Sequence, residues 1–260
     1  MSSRKDTVVV LDDFRLDGKV ALVTGAGVGL GRGMALALSQ AGANVACHGH
    51  PDALDTCRII EGNDRKALGL SGDLRNEKTP ASLVDATIHA FGRIDILVNN
   101  AGMIRRASAV DFTDEDWMDV LNLNLNGVWR LCREAGRHML ERGSGKIINI
   151  ASLLSFQGGV FVPAYTASKS AVAGLTKALA NEWAPKGVNV NAIAPGYMAT
   201  DNTAALRADE TRSRQILERI PAGRWGTPED LGPVAVFLAS EASRYIHGHV
   251  LVVDGGWMGR

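Results

Sequence analysis

The 260-residue chain has few of the features that mark secreted, membrane or metal-binding proteins. It contains three cysteines, Cys47, Cys57 and Cys132, an odd number whose spacing fits neither a zinc site nor a disulfide framework. No apolar run approaches the roughly 20 residues that cross a bilayer. The N-terminal run VVVL is short and is followed by two aspartates, unlike a secretory signal. The sequence therefore indicates a reduced, cytoplasmic protein.

An excess of charge of one sign is also missing. The 28 lysines and arginines balance the 28 aspartates and glutamates. A net charge of zero gives no basic footprint for a nucleic acid or an acidic membrane, so we expect neither as a partner. The histidines show no grouping with acids that would hold a metal, and we expect no metal site. We therefore expect the partner to be a small molecule.

Short apolar runs alternate with amphipathic segments along the chain. Predicted strands cover residues 19–24, 44–49, 66–73, 94–102, 146–152, 188–196 and 249–256. Predicted helices follow the first strand and cover residues 82–92, 114–143, 165–187, 200–224 and 230–243. Alternation of this kind is typical of an α/β fold, a doubly wound parallel sheet with helices on both faces. We predict one domain over residues 15–260, with residues 1–14 as a mobile N-terminal tail.

The first predicted strand runs into a glycine-rich turn, TGAGVGLG, at residues 24–31. Glycines let the backbone approach a pyrophosphate, and the start of the following helix supplies N–H donors. The spacing is Gly25-x-x-x-Gly29-x-Gly31, with Leu30 where the G-x-G-x-x-G fingerprint requires glycine. A tight strand–helix turn is the alternative interpretation. The position after the first strand favours dinucleotide binding.

The second predicted strand ends in His48, Gly49 and His50, where such folds contact the cofactor's ribose. An acid there would bond the 2′-hydroxyl of NAD, and a basic residue would suit the 2′-phosphate of NADP. No acid ends this strand, although Asp52 follows, so the sequence leaves both cofactors open. Asp73, after the third predicted strand, is placed either to bond the adenine amino group or to form a turn.

A tyrosine and a lysine lie four residues apart in YTASK, residues 165–169. On a helix they share one face. The positive charge of Lys169 would lower the pKa of the Tyr165 phenol and make it a general acid or base near neutral pH. Taken alone, this spacing more often marks a helix start with an exposed lysine.

Five motifs occur in order: TGAGVGLG, NNAG at 99–102, Ser152 thirteen residues before the tyrosine, YTASK, and APG at 194–196. Together they resemble the short-chain dehydrogenase/reductase family over nearly the whole chain. The resemblance implies a single Rossmann-type domain and a nicotinamide cofactor. Family members are commonly homotetramers. The apolar residues on several faces of the helix at 165–187 also predict burial against another subunit.

The resemblance implies a catalytic tetrad of Asn124, Ser152, Tyr165 and Lys169. Tyr165 would exchange a proton with the substrate hydroxyl or carbonyl, and Ser152 would hold the substrate oxygen. Lys169 would lower the tyrosine pKa and bond the nicotinamide ribose. Asn124 would bend its helix and hold a water that links Lys169 to solvent. Only the match to the family pattern selects it among the three asparagines of NLNLNG.

The same resemblance implies a wider set of cofactor contacts. They are Gly25, Gly29, Leu30, Gly31, His48, His50, Asp73, Leu74, Asn100, Ala101, Gly102, Pro195, Gly196, Met198 and Thr200, together with Tyr165 and Lys169. NAD is the favoured cofactor. NADP follows closely, because His48 or His50 would be able to face a 2′-phosphate.

Residues 99–260 resemble one group within the family, the 2-deoxy-D-gluconate 3-dehydrogenases, which include the 2-dehydro-3-deoxy-D-gluconate 5-dehydrogenases. The resemblance rests on NNAGMIRR, INIASLLSFQGG, NAIAPGYMAT, IPAGRWG and VDGGWMGR. It implies a substrate with a secondary alcohol or ketone on a deoxy sugar acid. The same tetrad would serve a 3-oxoacyl thioester reductase, because function depends on the pocket. A catalytically silent nucleotide-binding regulator is a further alternative, which the intact tetrad disfavours.

A carboxylate substrate needs a cation, ideally an arginine that binds it with two hydrogen bonds. Arg105 is the preferred anchor, because it follows NNAG at the carboxyl edge of the sheet, where open α/β folds bind ligands. Other polar residues nearby would bond the substrate's carboxylate or hydroxyl groups. These further candidates are Arg106, Arg207, Arg224, Arg260, Gln157, Tyr197 and Trp225, beside Ser152 and Tyr165.

Overall fold

The computed structural model describes residues 9–260, except the side chain of Asn202. Its sheet consists of β1 (Val20–Thr24), β2 (Asn44–Gly49), β3 (Ala67–Ser71), β4 (Ile96–Asn99), β5 (Gly145–Ile150), β6 (Val188–Pro195) and β7 (Val250–Val253). All neighbouring strands are parallel, in the order β3-β2-β1-β4-β5-β6-β7. The order reverses between β1 and β4, which is the switch point where doubly wound folds bind ligands. The predicted fold is confirmed.

The helices that connect the strands are α1 (Gly29–Gln40), α2 (Leu54–Glu61), α3 (Thr79–Phe91), α4 (Asp114–Leu121), α5 (Val128–Arg142), α6 (Pro163–Trp183), α7 (Ala204–Ala208), α8 (Glu210–Arg219) and α9 (Pro228–Ala239). One core lies between the sheet and α1, α2 and α9, and the other between the sheet and α3, α5 and α6. Every residue of β1 and β6 is buried, because both faces of the sheet are covered.

The long helical segment predicted at 114–143 is interrupted. A single π-helical turn, Asn122–Gly127, joins α4 to α5. Turns of this kind are rare and often lie at functional sites. The helix α2 was not predicted, because CHGHPDALDT shows no clear apolar period.

Most of the predicted N-terminal tail, residues 1–8, lies outside the described residues. The following residues Val10–Phe14 form a 3-10 helix. The ring of Phe14 lies 6.1 Å from that of Phe237, and Arg244 pairs with Asp13 at 2.9 Å. This part of the segment therefore packs on the domain.

The helix α6 shows no large apolar excess to solvent. Its apolar residues Val172, Leu179 and Trp183 face the core, while the exposed positions carry small or polar residues such as Gly174 and Lys177. The burial of this helix against another subunit stays a prediction. Between residues 9 and 260, we find no helix with the length and hydropathy needed to cross a membrane.

Candidate active site

A cavity of about 830 Å³ opens where β1, β4, β5 and β6 end. Residues that directly follow these strands form its wall, among them Gly25, Asn100, Ser152 and Gly196. Since parallel strands present their carboxyl ends at one edge, motifs far apart in the sequence meet here.

The glycine-rich turn forms one part of this wall, and α1 begins within it at Gly29. A Cβ atom at Gly31 would collide with the carbonyl oxygen of Gly25 and the side-chain amide of Asn100. That amide donates to the carbonyl oxygens of Thr24 at 3.0 Å and Gly25 at 3.2 Å. The turn and the NNAG segment are thus locked together beside a helix N-terminus, an arrangement that fits a pyrophosphate.

The cavity wall includes the following predicted cofactor residues: Gly25, Gly29, Leu30, Asn100, Ala101, Gly102, Tyr165, Lys169, Pro195, Gly196 and Thr200. The other predicted contacts, Gly31, His48, His50, Asp73, Leu74 and Met198, do not form part of it. Four of these, Gly31, His48, Leu74 and Met198, are buried.

His48 does not extend from the end of β2 toward a ligand. It is buried, and its Nε2 lies 2.9 Å from the carbonyl oxygen of Gly72. Burial lowers the pKa of its imidazole, which disfavours the charged form that would attract a 2′-phosphate. His50 is exposed, so it alone of the two histidines remains available.

Asp73 is held by the guanidinium of Arg75, which contacts both of its carboxylate oxygens at 2.7–3.1 Å. This hydrogen bonding lowers the pKa of Asp73. Arg75 also donates to Asp119 at 2.9 Å. The carboxylate is therefore engaged in an ion-pair network near the end of β3.

Ser152, Tyr165 and Lys169 meet in the cavity wall, as the motif spacing predicts. Tyr165 and Lys169 lie one turn apart on α6, with the ammonium 5.6 Å from the centre of the phenol ring. Lys169 is buried and donates to the carbonyl oxygen of Ile150 at 2.6 Å. Burial lowers the pKa of its ammonium to about 8.

Burial raises the pKa of the Tyr165 phenol, because the charged form loses solvation. Two groups oppose that rise, the hydroxyl of Ser152 by hydrogen bonding and Arg106 by its positive charge. Arg106 was only a minor candidate from the sequence. The structure adds it to the groups that tune the proposed acid–base residue.

Asn124 lies in the π-helical turn and is fully buried. Its side chain forms two hydrogen bonds of 2.9 Å with the backbone N–H and carbonyl oxygen of Met103, and it also donates to Ser168 on α6 at 3.3 Å. The neighbouring Asn122 and Asn126 bond each other instead. The structure thus distinguishes Asn124 from its neighbours by burial and by its link to the segment after NNAG.

The structure does not bring Arg105 to the cavity. Its guanidinium lies 3.3 Å from Asp116 and 3.5 Å from Asp119, on the side of the segment that faces α4. The next residue, Arg106, lines the cavity in its place. Adjacent side chains in an extended segment point in opposite directions, and this determines which arginine faces the ligand.

Of the other substrate candidates, Gln157 and Tyr197 join the cavity wall, whereas Arg207, Arg224, Arg260 and Trp225 do not. Two of the arginines bond carbonyl oxygens, Arg207 that of Thr200 and Arg260 that of Glu218. Arg224 forms two 2.7 Å bonds with Asp230. Trp225 packs edge-on behind Tyr197, with ring centres 5.6 Å apart.

Sequence reasoning missed many residues of the wall, among them two cations, Arg212 and Arg219 on α8, and the aromatic Trp257 near the C-terminus. Within α8, Arg212, Gln215, Ile216 and Arg219 recur at the spacing of one helical face, a signal that was present in the sequence. Trp257 had no such signal, because only the fold brings the chain end back to the cavity.

The comparisons with known proteins agree with this geometry. The family model described as enoyl-(acyl carrier protein) reductase matches residues 25–258. The chain belongs to the short-chain dehydrogenase/reductase family. Short-chain dehydrogenases/reductases use nicotinamide dinucleotides, and the chain is an oxidoreductase of this class.

Individual short-chain dehydrogenase/reductase relatives are similar over almost their full length. The 2-dehydro-3-deoxy-D-gluconate 5-dehydrogenase of Bacillus subtilis is 56% identical, over 96% of this chain and 98% of its own. A structure from Agrobacterium tumefaciens with bound NADP is 51% identical, with a TM-score of 0.91, and covers 96% of this chain and 100% of its own. A gluconate 5-dehydrogenase from Burkholderia cenocepacia, solved with NADP and tartrate, is 39% identical, with a TM-score of 0.93. The match covers 97% of this chain and 100% of that structure's chain.

Proposed function

We propose that the protein transfers a hydride between a nicotinamide cofactor and a secondary alcohol or ketone of a deoxy sugar acid. The substrate class would be that of 2-dehydro-3-deoxy-D-gluconate or 2-deoxy-D-gluconate. One observation carries this proposal: the cavity around Tyr165 has a positively charged wall. The relatives named for such substrates support the same class.

The charge of the wall comes from arginines on two parts of the chain, the segment after β4 and the helix α8. Arg106, Arg212 and Arg219 line it, and the only acid among its described residues is Asp201. A carboxylate ligand gains charge-assisted hydrogen bonds in such a wall. An acyl chain would require a more uniformly apolar lining, so a 3-oxoacyl thioester fits this cavity less well.

Each residue of the tetrad then has a chemical role. Tyr165 in its deprotonated form accepts the proton of the substrate hydroxyl during oxidation and returns it during reduction. Ser152 donates to the substrate oxygen and holds it toward Tyr165. Lys169 holds the cofactor's ribose and supplies positive charge below the phenol, and Asn124 fixes the backbone of Met103 in the cavity wall.

The glycine-rich turn and the helix that follows it fit the cofactor's pyrophosphate, since the position of Gly31 admits no side chain. When bound, the dinucleotide supplies the hydride acceptor or donor. The end of β2, His48-Gly49-His50, offers neither a carboxylate that would repel a 2′-phosphate nor an arginine or lysine that would bind it. We therefore propose that NAD serves as cofactor and that NADP is accepted.

The deciding experiment follows absorbance at 340 nm with NAD or NADP and each candidate substrate. We expect turnover of 2-dehydro-3-deoxy-D-gluconate or 2-deoxy-D-gluconate, and much slower turnover of a neutral polyol such as glucitol. A 3-hydroxyacyl thioester tests the alternative substrate. Turnover of the thioester alone would reject the sugar acid, and silence on every substrate with tight cofactor binding would favour a regulator.

We also propose a homotetramer. Met118 on α4 is 47% exposed and Trp129 on α5 is 40% exposed, which is high for large apolar residues on neighbouring helices. These two helices, rather than α6, would supply the subunit contact. Light scattering behind a gel-filtration column tests the mass, and a monomer at micromolar concentration would reject the proposal.

A further inference from the structure

One wall of the cavity is formed by α8, which contributes two arginines to it. Arg212 and Arg219 lie seven residues apart, about two turns of one helical face, and both line the cavity. Arg212 bonds Gln215 on the same helix at 3.3 Å. Arg219 interacts with a residue from another part of the chain, and this contact sets it apart.

The guanidinium carbon of Arg219 lies 4.0 Å from the centre of the Trp257 ring, a cation–π stack. Within the part of the chain that the structure describes, the side chain of Arg219 makes no ion pair or hydrogen bond, whereas Arg105 and Arg224 are each bound to carboxylates. A guanidinium stacked by its face keeps the N–H groups at its edge free for a planar anion. Arg219 is therefore oriented but unneutralised.

The orientation of Arg219 depends on the C-terminal turn that carries Trp257. Gly256 has φ +93°, and a Cβ there would lie 2.9 Å from Pro221, so a larger residue would push the turn away from the end of α8. The carbonyl oxygen of Gly255 accepts from the N–H of Ala222 at 2.9 Å. The C-terminal turn is thereby held against Pro221 and Ala222, which lie just after the end of α8.

Trp257 contributes its ring face rather than its polar atom. The side chain is 5% exposed, and its indole N–H finds no hydrogen-bond partner in the described part of the chain. A buried donor without a partner costs stability, so its place at the cavity needs another reason. The ring packs against Tyr197, with ring centres 4.7 Å apart, and its face carries the guanidinium of Arg219.

Arg106 and Arg219 lie at different places in the cavity wall. Arg106 is in the segment after β4, and its charge opposes the rise of the pKa of Tyr165, whereas Arg219 is at the end of α8 against Trp257. A substrate with its carboxylate next to the reacting alcohol would place that carboxylate near Arg106. A substrate with several carbons between the two groups would extend its carboxylate further along the wall.

We propose that Arg219, oriented by Trp257, binds the carboxylate of the sugar acid and so selects a hydroxyl remote from it for oxidation. This inference rests on the proposed function and adds which hydroxyl of the sugar acid is oxidised. Four carbon–carbon bonds separate the carboxylate from C5 of 2-dehydro-3-deoxy-D-gluconate, and two separate it from C3 of 2-deoxy-D-gluconate. The inference therefore favours oxidation at C5. Arg219 is a specificity residue, and Trp257 is a positioning residue.

The test compares Arg219→Gln with Arg214→Gln in steady-state kinetics on both sugar acids. Arg214 is the matched control, because it lies on the same helix, outside the cavity wall, 4.0 Å from Glu218. Loss of a charge-assisted pair predicts a rise in KM of about tenfold to a hundredfold for R219Q. The rise should be larger for 2-dehydro-3-deoxy-D-gluconate, while kcat and the Kd for the cofactor stay near those of the wild type.

The role of Trp257 is tested by two substitutions. Trp257→Phe keeps a smaller aromatic face and loses the N–H, and Trp257→Leu loses the aromatic face. We expect W257L to raise KM and W257F to raise it much less. The double variant W257L/R219Q should be no worse than R219Q alone, because both changes remove the same interaction. An equal effect of both tryptophan substitutions would reject the positioning role.

Cofactor binding by each variant shows that it is folded, and Arg219→Lys replaces R219Q if that variant fails this check. Lysine keeps the charge without the two-pronged geometry, so an intermediate KM is expected. If the wild type oxidises sugar acids and both Arg219 variants match R214Q, the inference falls and the proposed function stands. If the wild type oxidises no sugar acid, the proposed function falls and the inference falls with it.

Discussion

Asn124 and Met103 are joined by two hydrogen bonds of 2.9 Å, in which the side-chain amide of Asn124 accepts from the N–H of Met103 and donates to its carbonyl oxygen. The pair is 21 residues apart and links the π-helical turn to the segment after NNAG. The same amide reaches Ser168, the residue before the proposed catalytic lysine. A single side chain thus ties together two of the segments that form the cavity wall.

This relationship predicts the effect of Asn124→Ala. The backbone groups of Met103 would lose their partners in a partly buried place, and we expect the free energy of unfolding to fall by about 1–3 kcal/mol. Turnover should fall as well, since the cavity wall shifts. Urea denaturation with activity assays measures both. Asn126→Ala is the control, because its amide bonds only Asn122; equal losses in the two variants would contradict the special role of Asn124.

Tyr165→Phe should abolish turnover and leave the fold and cofactor binding intact. The substitution removes only the hydroxyl that exchanges the proton, so the packing of the ring on α6 is kept. Residual activity is expected to be at least 100-fold lower, in the range ascribed to general acid–base catalysis. Cofactor affinity is followed by protein fluorescence. Turnover at the wild-type rate would exclude Tyr165 from proton transfer.

Arg106→Gln should alter the pH dependence of oxidation. Oxidation requires the deprotonated form of Tyr165, so its rate rises as pH increases through the tyrosine pKa. The positive charge of Arg106 lowers that pKa, and its removal should move the rise in kcat to higher pH. Arg105→Gln serves as control, because Arg105 is paired with Asp116 and Asp119. A kcat–pH profile unchanged in R106Q would show that this charge does not reach the phenol.

Lys169 should make the stability of the cofactor-free protein depend on pH. Burial lowers the pKa of its ammonium from 10.5 to about 8 in the folded state. Between these values the unfolded chain binds the additional proton, so raising the pH from 8 to 10.5 favours the folded state. The gain is on the order of 3 kcal/mol. The free energy of unfolding is measured across this pH range for the wild type and for Lys169→Met, which lacks the titrating ammonium. The same pH dependence in both proteins would contradict the shifted pKa of Lys169.

The sequence by itself determined the sheet and the placement of Tyr165 and Lys169 on one helical face. Continuous apolar runs such as VALVT and VNVNAIAP can be buried only in a sheet covered on both faces, so the parallel fold follows from local pattern. Tyr165 and Lys169 were expected to share one face because they lie four residues apart on a helix, whereas their catalytic role was implied by the family motifs and stays a proposal. Both inferences depend on short-range geometry.

Only the tertiary structure decided which cations face the cavity. Arg105 and Arg106 are adjacent in sequence, yet the carboxylates of Asp116 and Asp119 hold Arg105 away from the cavity. Arg219 and Trp257 are 38 residues apart, and the C-terminal turn must fold against the end of α8 before they stack. Such contacts depend on how distant segments pack, and no local period in the sequence encodes them.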